Sequence, residues 1–322
     1  MKLRKLFYTT LSTPEILDFR KTAMIYSFSW IFDGKNLYLV VSYNPVTIAK
    51  VSQIDHELKV EAYSEQKTIT KSELSEKIEI TLGLNEKIEE FYEKIREDPL
   101  LKYVPTALRG ARLRSVDLWT GIVTAICQQN ASFKQGWTML YNLYRKTGRT
   151  FRVENHDVLI LPTPNQVLEI KPDTLKECKL GYRSQTLVEV AKVLESGDLE
   201  EDPLYQDPYS AEKILKKIKG IGQYSARLTL VLSLREYALP PIDRWTTRLV
   251  QEAYGLESRS FKTVEKAIKT RWGKWAGLGV FFLTVVLDAV PLSKALLRLR
   301  KGELKPRADA KELTPLTLWK KL

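Results

Sequence analysis

Residues Ile214–Arg248, ILKKIKGIGQYSARLTLVLSLREYALPPIDRWTTR, decide how this chain is read. Apolar residues of Ala211–Ile218 fall at helical spacing, Lys219–Gln223 (KGIGQ) is a tight turn, and Tyr224–Arg235 resumes as an apolar helix. Gly220 and Gly222 remove the side chains that would hold a backbone away from a ligand, and they tolerate positive φ. The second helix offers unpaired N–H groups and the positive end of its dipole, which suit a phosphate oxygen. Pro240-Pro241-Ile242 then breaks the chain and delivers Asp243 at the start of the next helix. A phosphate grip beside a lone carboxylate points to chemistry on DNA.

Charge supports a polyanionic partner. The 322 residues carry a net charge of +12, distributed unevenly: residues 1–100 hold 14 Lys and Arg against 16 Asp and Glu, leaving 37 against 23 in the remainder. The basic surplus thus lies on the part of the chain that contains the hairpin. A hydrophobic content of 44% is ample for a large core and two or three subdomains. The two cysteines, Cys127 and Cys178, are too few for a disulfide scaffold, a four-cysteine zinc site or an iron–sulfur cluster. Both sit in or beside apolar helical patterns, as buried hydrophobes do. His56 and His156 have no metal-like partners nearby, so no metal and no cofactor is expected. No apolar run reaches the length of a membrane span and no signal-type segment follows Met1, so an intracellular, DNA-associated protein is expected.

Along the chain, residues 1–83 read as a strand-rich module. Ala23–Phe32, the turn Asp33-Gly34 and Leu37–Tyr43 form a hairpin pattern, and Val46–Val51, Leu58–Tyr63 and Ile78–Leu82 are further strand candidates. Residues 84–290 read as a helical body, with helices over 85–97, 116–128, 133–146, 183–196, 211–218, 224–236, 244–254, 260–271 and 275–289. Residues 291–322 form a basic tail; from Lys294 it has 9 basic and 3 acidic residues, and it either lies on a DNA backbone or is disordered. The fold class is α+β: a mostly helical body of two subdomains carrying the helix-hairpin-helix, behind a small N-terminal antiparallel β module.

The order of hairpin, Gly/Pro-rich loop and Asp243 resembles the helix-hairpin-helix DNA glycosylases. Three more stretches are similar to members of that superfamily: Trp119–Gly136 (WTGIVTAICQQNASFKQG), Leu161–Ile170 (LPTPNQVLEI) and Cys178–Leu194 (CKLGYRSQTLVEVAKVL). The plan of a β module ahead of a helical body is shared with the 8-oxoguanine branch and the bacterial 3-methyladenine branch. The iron–sulfur branch is excluded by the cysteine count.

The resemblance assigns roles residue by residue. Asp243 would be the catalytic carboxylate, buried near C1′, stabilising positive charge on the sugar and orienting water; it would also serve as an N-cap. Lys219, Gly220, Ile221, Gly222 and Gln223 would hold a DNA phosphate. Where strand-cleaving relatives carry a Schiff-base lysine, two residues after the last hairpin glycine, this chain has Tyr224, and a phenol forms no imine. A monofunctional glycosylase is therefore implied, with Tyr224 stacking on the flipped base or simply packing at the helix start. Phe281 matches a stacking phenylalanine of the 8-oxoguanine branch, and both it and Trp275 are either pocket residues or part of the core. Gly277 stands where that branch has its guanine-reading glutamine. Asn130 occupies the place of the plug that fills the emptied duplex, while Tyr182 and Arg183 match the segment that wedges beside the orphaned base. The implied partner is double-stranded DNA containing damaged bases, bound by a monomer. The implied reaction is water-dependent release of an alkylated purine. An 8-oxoguanine or hypoxanthine specificity on the same fold, or a non-catalytic DNA clamp, are the alternatives.

Overall fold

Alternating apolar residues build the N-terminal sheet. A computed structural model describes residues 1–66, 69–199, 202–258 and 260–322. Strands β1 (Arg4–Ser12), β2 (Leu37–Tyr43), β3 (Val46–Ile54) and β4 (Glu57–Ser64) form one antiparallel sheet in the order β1-β4-β3-β2. Ala49 pairs with Ala62 and Val51 with Val60, which puts all four side chains into the core on one face. The helix Lys71–Leu82 covers that face with Leu74, Ile78 and Leu82, spaced four apart.

Two expected strands are absent from this module. Ile78–Leu82 is the last turn of the helix Lys71–Leu82, which Thr70 and Glu73 start as a capping box and Gly83 ends in the left-handed conformation. These end signals outweigh the local alternation of isoleucine and leucine. Ala23–Phe32 is likewise not a strand: Asp18 caps a short helix, Phe19–Met24, and of the expected hairpin only the Phe32–Leu37 bridge forms. The alternation has another cause. Phe28 and Trp30 stack at 4.5 Å and are buried against Trp137 and Tyr144 of the helical body, so tertiary packing rather than a strand partner pairs them.

Beyond Asn85 the chain is helical except for a ribbon that composition hides. Strands β5 (Arg149–Val153) and β6 (His156–Ile160) pair around a turn with Glu154 at φ 53°. Their apolar face, including Phe151 and Ile160, packs on Tyr38, Ile48 and Tyr63 of the sheet. The helices fall close to their expected places, as with Leu118–Gln128, Phe133–Thr147, Arg183–Glu195 and Arg244–Tyr254. The helix expected over 224–236 runs as Gln223–Thr229 and closes with a π-type turn, Leu230–Leu234, ended by Arg235 at φ 54°. The last expected helix stops at Val286, because Asp288 and Ala289 adopt positive φ.

The body has two cores. One joins residues around 88–113 to residues around 231–304; the other comprises residues around 118–230 with Phe28, Trp30 and Leu318. The tail is neither a free appendage nor disordered. After the helix Leu292–Arg300, buried Asp288 binds Arg298 and Arg307, each at 2.7 Å, and the chain then crosses the body. Leu316 and Leu318 are buried, and Trp319 meets Phe32 edge-on at 5.0 Å. Among the described residues no helix is long and apolar enough to cross a membrane.

Candidate active site

Gly220 makes the hairpin turn possible. Its φ is 92°, and a Cβ there would lie 2.3 Å from Thr186 Oγ1, so the turn both needs a left-handed residue and packs against the neighbouring helix. Pro208–Lys216, capped by Asp207, leads into the turn, and Gly222 starts the second helix. Lys219, Gly220 and Gly222 are exposed. Ile221 differs from expectation: its side chain is buried and its N–H already bonds Ile218 O at 3.0 Å, leaving nothing for a phosphate. Gln223 is half-buried in the first helical turn.

A buried arginine fixes the hairpin relative to the acid. Arg227 bonds Glu212 Oε2 (3.1 Å) in the first hairpin helix, Glu265 Oε1 (3.0 Å), and the carbonyl of Pro240 (3.3 Å) in the loop preceding Asp243. A charged residue this buried is tolerated because carboxylates and a carbonyl satisfy it. The sequence signal was a lone arginine inside an apolar helix.

Asp243 is the N-cap of Arg244–Tyr254, its Oδ1 accepting the Thr246 N–H at 2.7 Å. It lines a cavity of about 990 Å³ between the two cores, together with Tyr26, Arg114, Phe133, Trp137, Tyr224, Phe281 and Thr284. Contrary to expectation the carboxylate is exposed rather than buried, because a cap residue sits outside the helix body, at the edge of the packed interior. Tyr224 is half-buried beside it. Burial, then the neighbouring Asp243 and Tyr26, hold the Tyr224 phenol well above its ordinary range, so it stays a neutral aromatic at any working pH.

Trp275 does not reach this cavity. It packs in the core against Tyr237 and Phe91, with ring centroids 6.0 Å away in both cases. Gly277 does line the cavity and is fixed by close approach: its N–H donates to Tyr237 O at 2.6 Å, and a Cβ would lie 2.6 Å from Val231 Cγ2. No side chain, glutamine included, fits there without moving backbone.

The cavity has the expected Phe281 and, in place of Trp275, rings that the sequence reading did not single out: Tyr26, Phe133 and Trp137. Tyr26 stacks on Trp137 (5.2 Å, 15° between planes), and Phe133 and Phe281 lie 6.2 and 5.4 Å from it. The unexpected rings come from two separate segments, and only the run YSFSW (residues 26–30) hinted at Tyr26. Arg114 braces the Tyr26 segment through Ala23 O (2.9 Å) and Ser27 Oγ (2.8 Å); burial lowers its guanidinium to about 10.

The expected wedge elements do converge. Asn130, at φ 48°, and exposed Tyr182 approach to 3.5 Å through the amide nitrogen and the phenol oxygen. Arg183 is not available to read a base. It is buried, its Nε bonding Gln129 O at 3.1 Å and its Nη2 bonding the carbonyls of Gln129 and Asn130, and it lies under the Tyr182 ring at 4.6 Å. Gln129 Nε2 also reaches Gly220 O at 3.3 Å, linking this loop to the hairpin. Burial pushes the Cys127 thiol up to about 12 and the Cys178 thiol to about 11, so neither is a nucleophile at neutral pH.

A hairpin, an acid at a helix start and an aromatic cavity between two helical cores define the helix-hairpin-helix class of DNA-repair fold. The family model for HhH-GPD superfamily base excision DNA repair proteins matches residues 123–275, just under half of the chain, and supports its placement in that superfamily. A DNA-3-methyladenine glycosylase of Bacillus subtilis is 25% identical over 203 residues, 61% of this chain and 66% of the relative's own length, just under two thirds. The fold is similar to a 3-methyladenine DNA glycosylase from Archaeoglobus fulgidus (TM-score 0.70, 21% identity, covering 85% of this chain and 96% of the other). It is also similar to an 8-oxoguanine glycosylase/lyase of Clostridium acetobutylicum (TM-score 0.68, 17% identity, 87% and 98%). At these identities both structural likenesses concern the fold alone.

Proposed function

We propose that this protein is a DNA glycosylase that releases an alkylated purine from duplex DNA with water as the nucleophile, leaving an intact abasic site. The observation that carries the reading is the meeting of Asp243 and Tyr224 on one aromatic cavity beside an exposed glycine hairpin. Lys219, Gly220, Gly222 and Gln223 would hold a backbone phosphate, and Asn130 with Tyr182 would fill the space vacated by the flipped base. Tyr224 and Phe281 would stack on that base; electron-rich rings favour a cationic alkylated purine over a neutral one.

As the C1′–N bond breaks, its electron pair leaves with the base and positive charge develops on the sugar. Oδ1 of Asp243 is engaged by Thr246 N–H, which leaves Oδ2 without a hydrogen bond among the described residues. That oxygen would face the developing charge and take the proton of the attacking water. A cationic lesion departs as a neutral base, so no strong general acid is required. The Bacillus relative's name agrees with the alkylated-base reading. Against an 8-oxoguanine specificity stands Gly277, where close packing leaves no room for a guanine-reading side chain.

The deciding experiment is a base-release assay on end-labelled duplexes carrying 3-methyladenine, hypoxanthine or 8-oxoguanine, analysed with and without alkali. Release of 3-methyladenine with strand cuts only after alkali, and no borohydride-trapped covalent complex, is the expected result. Cuts without alkali would overturn the water mechanism. No release, with duplex binding kept, would make the protein a clamp.

A further inference from the structure

Tyr26 is held in place by four independent contacts. It adopts φ 53°, a conformation unfavourable for a bulky side chain, so the surroundings must impose it. Its N–H donates to Pro315 O at 2.9 Å, in the C-terminal segment that crosses the body, and Arg114 braces the residues on either side. Its ring stacks on Trp137, and its hydroxyl meets the hydroxyl of Thr284, 258 residues away along the chain. Lys311–Leu313, just before Pro315, also line the cavity, so the tail both walls the pocket and holds Tyr26 within it.

The direction of the Tyr26–Thr284 bond follows from counting protons. Thr284 Oγ1 lies 2.6 Å from the carbonyl oxygen of Phe281, which can only accept, so the single threonine proton is donated there. Tyr26 must therefore donate its own proton to Thr284. The phenol oxygen is left with lone pairs alone to offer a ligand, and a base that presents an N–H to it gains a hydrogen bond. A base that presents a carbonyl at the same place meets an acceptor with an acceptor. Adenine derivatives carry an amino group where hypoxanthine carries a carbonyl.

We infer that Tyr26, locked by Thr284 and by the C-terminal segment, is a specificity-determining residue of the base cavity that selects amino-bearing purines over their 6-oxo counterparts. This inference rests on the glycosylase reading above. The test compares second-order rate constants for release of 3-methyladenine and of hypoxanthine by the full-length protein, its Tyr26→Phe variant and its Thr284→Val variant, with undamaged-duplex affinity as the check on folding. Tyr26→Phe keeps the ring and its stacking but removes the acceptor, and should lower the 3-methyladenine/hypoxanthine ratio by about tenfold. Thr284→Val frees the phenol proton for a ligand and should lower the ratio by raising hypoxanthine release. A ratio left unchanged or raised in both variants, including an equal loss on both bases, means a purely structural tyrosine and overturns the inference. Release of neither base by the unaltered protein would instead overturn the glycosylase reading, and this inference with it.

Discussion

Asp243 and Thr246 form a cap that uses only half of the carboxylate: Oδ1 accepts the Thr246 N–H at 2.7 Å, while Oδ2 is left without a hydrogen bond among the described residues. The same side chain therefore starts a helix and presents a negative oxygen to the cavity. Asparagine caps a helix about as well as aspartate but carries no charge. Asp243→Asn should lose at least about 100-fold in single-turnover base release while its melting temperature stays unchanged. Asp243→Ala should lose the same activity and about 1 kcal/mol of stability besides. Equal activity in the Asn variant would remove Asp243 from the chemistry.

Arg183 supports the Gln129–Asn130 loop from beneath. Its guanidinium bonds the carbonyls of Gln129 and Asn130 and lies under Tyr182, so Arg183→Ala leaves carbonyl groups without a donor and frees both Asn130 and Tyr182. A destabilisation of about 1–3 kcal/mol in urea is expected, together with a larger loss of affinity for lesion-bearing than for undamaged duplex. Lysine cannot reproduce the planar fork and should not rescue. Affinity lost equally on both duplexes would place Arg183 outside base flipping.

Gly277 is a packing requirement of the cavity wall. A Cβ would sit 3.1 Å from Tyr237 Cα as well as 2.6 Å from Val231 Cγ2. Gly277→Ala should destabilise the protein by about 1–3 kcal/mol, and Gly277→Gln should do so without conferring release of 8-oxoguanine. Thermal melts and the same release assay check both.

Several phenols make stability sensitive to alkali. Burial, the largest cause in each case, raises Tyr26, Tyr144, Tyr224 and Tyr237 above their ordinary range. The unfolded chain releases these protons near pH ~10 while the folded chain retains them. Above that pH the folded state binds more protons than the unfolded one, so stability falls as pH rises, and it is unaffected by these groups below it. Urea midpoints should be flat from pH 8 to the onset near pH ~10 and then fall. Tyr144→Phe should lessen the slope; an unaltered slope would assign the loss to other groups.

The local geometry of the candidate site was legible in the order of residues. Two glycines, a Pro-Pro break and one aspartate specify hairpin, loop and cap within a single stretch, because turn geometry and capping are decided by near neighbours. The placement of Tyr224 followed from the same spacing. The positions of most helices in the body were legible too, since apolar periodicity and caps act over one or two turns.

What near neighbours do not decide was not legible. Ala23–Phe32 alternates like a strand, yet its rings are buried in a different core, and the burial that favours them comes from Trp137 and Tyr144 far along the chain. The places of Trp275, left open between pocket and core, and of Tyr26, given no site role, were hidden for the same reason. Both are aromatic residues near apolar runs, and only the packing of the helix Ala276–Val286 against its neighbours sends one to the core and the other to the cavity. The tail looked like a basic appendage because charge dominates its composition, but Asp288, Leu316 and Leu318 hold it down. Sequence by itself determined the hairpin, the acid and the absence of a lysine at residue 224, all properties of short segments. Tertiary structure alone decided which rings line the cavity and which way the Tyr26 proton points, because those depend on contacts between segments hundreds of residues apart, such as Tyr26 and Thr284, separated by 258.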